Sequence, residues 1–181
     1  MFKRIDTVIH GDNQQFIDVF LIHGAGILVS SCLVYINRSL AWWQLILLFV
    51  LMWDVVGGAV SNSTSSTNRW YMRHPIRIRF VFIAIHIIQP FLLVWILDDS
   101  NLIFALVLYS YMILCAIIIL IIQQPELQRP LATVFYIIGM MLITFLFNLS
   151  ITLQIFGYLY LFKLIVCFSV DHYQARGNSG D

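Results

Sequence analysis

The chain has 181 residues, 61% of them apolar and only 10% charged, with ten Lys and Arg against nine Asp and Glu for a net charge of +1. Ordinary soluble domains carry about a quarter charged residues, and a chain of this size cannot bury so much apolar surface and still cover itself with polar groups. With a mean hydropathy of +0.89, this excludes a soluble enzyme, a nucleic-acid binder, a disordered tail and a disulfide scaffold.

A helix crosses the hydrocarbon in about 20 residues. That length predicts an all-α, polytopic integral membrane bundle of six transmembrane helices, forming a single domain over 1–181. Span one covers 16–36 and contains Asp18 and His23. Span two covers 40–60 and contains Asp54. Span three covers 76–97, and span four covers the uncharged 102–122. A polar loop bracketed by Pro125 and Pro130 follows. The next forty residues, from Leu131 to Val170, hold one charge, Lys163. They are about two bilayer crossings long and divide into spans at 131–149 and 153–170. The reversal is expected between Asn148 and Gly157, where Asn, Ser, Thr, Gln and Gly collect. A short polar tail, 171–181, follows.

Short loops on the cytoplasmic side of a membrane collect Lys and Arg. With the N-terminus inside, Lys3, Arg4, Arg69, Arg73, Arg77, Arg79, Arg129 and Arg176 fall inside and only Arg38 outside. Asp98 and Asp99 mark the outer turn after span three. Both termini are therefore expected to be cytoplasmic, in a plasma or inner membrane. No secretory leader is evident, since span one is long and carries Asp18 and His23. Cys32, Cys115 and Cys167 lie within spans at no disulfide or zinc spacing and are expected to be core residues.

Ionisable groups inside a span cost a few kcal/mol each and usually face the bundle interior. Asp18, His23, Asp54, His86 and Lys163 all fall in the cytoplasmic half, about six to ten residues or fewer from that end of their spans. Span two adds a stripe. Asp54, Gly57, Gly58, Ser61, Asn62 and Ser65, at offsets 0, 3, 4, 7, 8 and 11 (54 subtracted from each number), share one helix face. Small residues there admit either a ligand or a neighbouring helix. The polar helix is expected to run on past the membrane surface and to stop by His74, because Pro75 disfavours helix at the residue before it. The hydroxyl run Ser61–Thr67 and the loop arginines suit an anionic head group; the arginines and aromatics also fit a plain interfacial loop. In span three, Pro90 frees the backbone carbonyl of His86, beside Gln89 and on nearly the same face as Arg79. Lys163 is expected to pair with Asp54 or Asp18.

Histidine clusters of di-iron oxygenases, HExxH, CxxC, GxSxG and phosphate-cradling loops are all absent. No metal or cofactor is expected. The expected partners are membrane lipid and an amphipathic small molecule, with no nucleic acid. Asp54, His86 and His23 are the candidate catalytic residues. Gly57, Gly58, Ser61, Asn62, Arg79, Gln89 and Lys163 are the candidate binding residues. Three readings remain open: a metal-independent acid–base enzyme or binding protein for a lipid- or isoprenoid-like substrate, a proton-coupled transporter, and a non-catalytic assembly partner.

Overall fold

A computed structural model describes residues 15–97 and 101–174. Lys3, Arg4, Asp98, Asp99, Arg176 and the tail beyond residue 174 lie outside the described residues. The described chain is helical, and six of its helices are long and apolar enough to cross a membrane, as in a multi-pass integral membrane protein.

Span one is α1 (Phe16–Ile36). Asp18 sits in its first turn and accepts a hydrogen bond from the Gln15 backbone amide at 3.3 Å. It is therefore a helix cap and does not pair with Lys163. Span two is α2 (Trp42–Ser63), which runs three residues past the expected end at 60. Asp54 thus lies nine residues inside the helix end (63 − 54), about 13 Å along the axis, deeper than its sequence position suggested.

The polar stripe does not continue as one helix. Thr64 takes an extended conformation (φ −72°, ψ 151°) and the chain restarts as α3 (Ser65–Arg73), so Ser65 leaves the stripe. The hydroxyls cause this break by competing with the helix for backbone groups. Thr64 Oγ1 donates to the Ser61 carbonyl at 2.8 Å and accepts from the Thr67 amide at 3.4 Å. Ser63 Oγ donates to the Val60 carbonyl at 2.7 Å. The hydroxyl run is thus spent on ending α2 and starting α3.

Span three is two helices, α4 (Ile76–Ile85) and α5 (Ile88–Ile96), interrupted at His86–Ile87. Pro90 has no amide to give the His86 carbonyl. That carbonyl instead accepts from the Gln89 amide at 3.3 Å and from Tyr160 Oη at 3.0 Å. Span four is α6 (Leu102–Ile121), with Asn101 Oδ1 accepting from the Phe104 amide at 3.1 Å. Span five, α7 (Pro125–Leu146), starts six residues before the expected Leu131 (131 − 125). Proline suits a first helical position because its missing donor is not needed there, so the loop expected at 125–130 is helix. Span six begins at α8 (Ile151–Leu161) and continues as a π-helical stretch, Phe162–Phe168. The reversal falls at residues 147–150, tighter than the expected window. Gly157 lies inside α8, where a Cβ would come within 2.9 Å of Ile143 Cδ1.

Spans two and six are the most enclosed, and spans one and five the least. Spans one and two pack antiparallel, with Gly26 beneath the Trp53 ring and Gly57 beside the Ile22 carbonyl. Small residues at these crossings let the backbones approach. Helix α3 closes one end of the bundle. Asn68 Nδ2 donates to the Val170 carbonyl at 2.8 Å, and Asn68 Oδ1 accepts from the His172 amide at 3.1 Å.

Candidate functional site

A cavity of about 710 Å³ lies in the α3 half of the bundle. Spans one, two, three and six all contribute to it: His23 from α1; Asp54, Gly57, Gly58, Ser61 and Asn62 from α2; His86 and Gln89 from span three; Lys163 from span six. Nine of the ten residues singled out in the sequence thus line one cavity. The tenth, Arg79, does not. It is buried and its Nη1 donates to Met72 Sδ at 3.4 Å. It lines a different cavity of about 1230 Å³, with Gln123, Gln124, Glu126 and Gln174. Arg79 and His86 belong to α4 and its C-cap, but their seven-residue separation is about 10 Å along the axis, and the two side chains line different cavities.

The cavity opens sideways. At its mouth Ile85 is 55% and Ile88 63% exposed, and Val50 is also exposed. These residues lie within the apolar spans two and three, so the exposed edge of the cavity is on the side of the helices and not at their ends. The opposite half of the bundle is closed by Leu48, Leu93, Ile96 and Phe104, all fully buried.

The polar floor is an ion pair. Lys163 Nζ lies 2.9 Å from Asp54 Oδ2 and donates also to the Asp54 carbonyl at 3.2 Å. The lysine is 2% exposed, whereas the Asp54 side chain is 57% exposed toward the cavity. A lone ammonium at mid-span costs about 3 kcal/mol on insertion scales, and the carboxylate offsets that cost. Gly58 makes the approach geometrically feasible. A Cβ there would lie 2.5 Å from Lys163 Cε and 2.8 Å from Nζ, so the lysine passes directly over Gly58 to reach Asp54, one turn away. Gly57, by contrast, faces span one. The two adjacent glycines therefore serve different neighbours. The π-helical turn carrying Lys163 is the kind of local irregularity that re-aims a side chain.

Gln89 Nε2 also donates to Asp54 Oδ2. This fixes the amide orientation, because the reverse would set two oxygens against each other. Gln89 Oε1 is buried and has no hydrogen-bond partner among the described residues. The same is true of Asn62 Nδ2, on a side chain that is 4% exposed. His86 Nδ1 donates to the Phe82 carbonyl at 2.5 Å. In a neutral ring that bond makes Nε2 the acceptor nitrogen. His23 sits on the opposite wall, edge-on to Trp53 with ring centroids 5.6 Å apart. Ser61 Oγ is 3.2 Å from Thr67 Oγ1.

Sequence reasoning missed the apolar and aromatic walls, chiefly Ile22, Val50, Trp53, Tyr71 and Phe82. Trp53 had a local signal, adjacent to Asp54 and so on a neighbouring face. Tyr71 had none, because its place depends on the turn at Thr64. Burial pushes the Tyr71 phenol up to about 12, so it lines the cavity as a neutral hydroxyl. Among the described residues, no three His, Cys, Asp or Glu side chains are grouped as a metal site.

No protein-family model, no curated protein and no solved structure matches this chain.

Proposed function

We propose that this multi-pass membrane protein binds an amphipathic, lipid- or isoprenoid-like molecule in the lateral cavity and carries out metal-independent acid–base chemistry on its polar end. The observation that carries the reading is the meeting of a carboxylate and an imidazole in one cavity open to the bilayer, Asp54 on span two and His86 on span three. Apolar pockets with a few convergent polar groups are the usual form of small-molecule sites. His86 Nε2 would accept the proton and return it. Asp54, held by Lys163 and Gln89, would orient the polar group and stabilise positive charge developing near it. Arg69, Arg73, Arg77 and Arg129 at the α3 end of the sequence support a cytoplasmic orientation for that end. The substrate would then enter from the cytoplasmic leaflet.

A carrier would need a second opening, and the packed residues at the opposite end of the bundle favour the one-sided reading. A purely structural role draws support from the Asp54–Lys163 pair itself, because such a pair also clamps two helices.

The test is conversion. Purified protein is incubated with a membrane-lipid extract, and consumed and formed species are followed by mass spectrometry. Wild type should convert at least one amphiphile, and His86→Ala and Asp54→Asn should reduce conversion by about 10²-fold or more. Undiminished conversion in both variants overturns the assignment.

A further inference from the structure

The charge balance of the cavity restricts what its ligand can be. Among the described residues, Lys163 is the only Lys or Arg that lines it and Asp54 the only Asp or Glu, and the two neutralise each other at 2.9 Å. His23 and His86 line it as well. Arg79 lines the second cavity, and the Arg69 guanidinium lies 5.6 Å from the Tyr173 ring centroid. An anionic head group could take the ammonium here only by drawing Lys163 away from Asp54. That would leave a carboxylate uncompensated in a low-dielectric site, a costly exchange.

Two neutral amide atoms of the cavity lining lack partners among the described residues. Asn62 Nδ2 is a buried donor with no acceptor, and Gln89 Oε1 is a buried acceptor with no donor, both among the described residues. Leaving such groups unpaired is costly, so they mark where a ligand's own donor and acceptor belong. Eight residues separate Asn62 from Asp54, the partner of Gln89. That is about 12 Å along the helix axis before the side chains reach toward each other. A head with several oxygens spans such a gap better than a lone hydroxyl. The mouth beside Val50, Ile85 and Ile88 leaves room for an apolar chain.

We infer that the cavity selects an uncharged, hydroxyl-bearing amphiphile, of the monoacylglycerol or long-chain polyol class, over an anionic amphiphile with the same chain. This deepens the amphiphile-binding reading above and rests on it. A ligand hydroxyl donates to Gln89 Oε1, and a second ligand oxygen accepts from Asn62 Nδ2. The Asp54–Lys163 pair remains intact beneath them.

The experiment compares three ligands sharing an oleoyl chain: monooleoylglycerol, oleate and oleoyl lysophosphatidate. Each is titrated onto the full chain in neutral detergent and bound species are counted by native mass spectrometry. Monooleoylglycerol should bind at least about tenfold more tightly than either anion. Asn62→Leu and Gln89→Leu should each weaken it by about tenfold, as for loss of one hydrogen bond. Equal or tighter binding of oleate or lysophosphatidate overturns the neutral-head inference and leaves amphiphile binding standing. Binding of none of the three overturns both. Unchanged monooleoylglycerol affinity in both leucine variants overturns the assignment of Asn62 and Gln89. The three-ligand comparison on wild type decides the charge question even where a variant does not fold.

Discussion

Replacing Gly58 by Ala tests the geometry of the ion pair without removing either charge. The new Cβ would sit 2.5 Å from Lys163 Cε and 2.8 Å from its Nζ. Carbon atoms prefer separations of about 3.5–4.0 Å, so the end of the lysine has to shift by about 1 Å. Its Nζ now lies 2.9 Å from Asp54 Oδ2, and such a shift takes the bond beyond useful range. Losing a hydrogen bond between charged groups costs about 1.5–3 kcal/mol. Ala is favoured over Gly within a helix by up to about 1 kcal/mol, which leaves a net loss of about 0.5–2 kcal/mol. Gly57→Ala is the matched control. Its Cβ would meet Ile22 O at 3.4 Å and Ile22 Cγ2 at 3.5 Å, ordinary contacts, so it should be neutral or stabilising by up to about 1 kcal/mol. For a chain of this length about 2–4 °C in Tm accompanies each kcal/mol. Thermal unfolding in detergent, followed by tryptophan fluorescence, should therefore put Gly58→Ala several degrees below Gly57→Ala. Asp54→Asn should also cost less in the Gly58→Ala background than in wild type, because the pair is already loosened. If Gly58→Ala matches or exceeds Gly57→Ala in stability, Lys163 does not cross span two at this point.

Tyr160→Phe removes one of the two donors to the His86 carbonyl and leaves the Gln89 amide. It should lower stability by about 1 kcal/mol, while Tyr109→Phe, whose donor bonds the exposed Ala84 carbonyl, should cost less in the same unfolding assay. Exchanging the two charges, Asp54→Lys with Lys163→Asp, should recover part of the stability lost in either single variant but none of the lipid conversion; recovered conversion would reduce the pair to a clamp. The His172 imidazole, beyond the last span, is pushed below its ordinary 6.5 by burial and by Arg129, against the opposing Val166 carbonyl and Asp171. The folded state therefore binds this proton less readily than the unfolded chain. Stability from the segment is complete above about pH 6.5 and declines as the pH falls through and below that value. The protection of the backbone amides at residues 170–173, taken as the exchange rate relative to the intrinsic rate at each pH, should fall between about pH 7 and pH 5, and His172→Asn should flatten that dependence; an unchanged slope in the variant would assign it to other groups.

The membrane character and the helices were legible because hydrocarbon imposes long, apolar, nearly uncharged segments. The residues of the cavity were legible for a related reason. Few ionisable groups are tolerated within spans, so Asp54, His23, His86 and Lys163 stood out individually. What the sequence could not supply was three-dimensional register. Arg79 and His86 share a face of one helix, but about 10 Å along its axis separates them, and which cavity each meets depends on the helices packed alongside. The stripe ended at Asn62 because the hydroxyls after it bond the local backbone, a competition that periodicity does not register. Tyr160 could not have been connected with His86 from 74 residues away, and no local pattern marks it. The distinction between Gly57 and Gly58 likewise depends on which span passes above each glycine.

The central claim is that an amphiphile occupies the cavity lined by spans one, two, three and six. Photo-crosslinking tests it directly, using a diazirine-bearing monoacylglycerol in liposomes and peptide mapping of the adducts. The account predicts adducts on Val50, Trp53, Ile85 and Ile88, reduced by excess unlabelled lipid. Adducts that fall instead on the exposed face of span five, at Val134, Ile137 and Met141, and resist competition would contradict it.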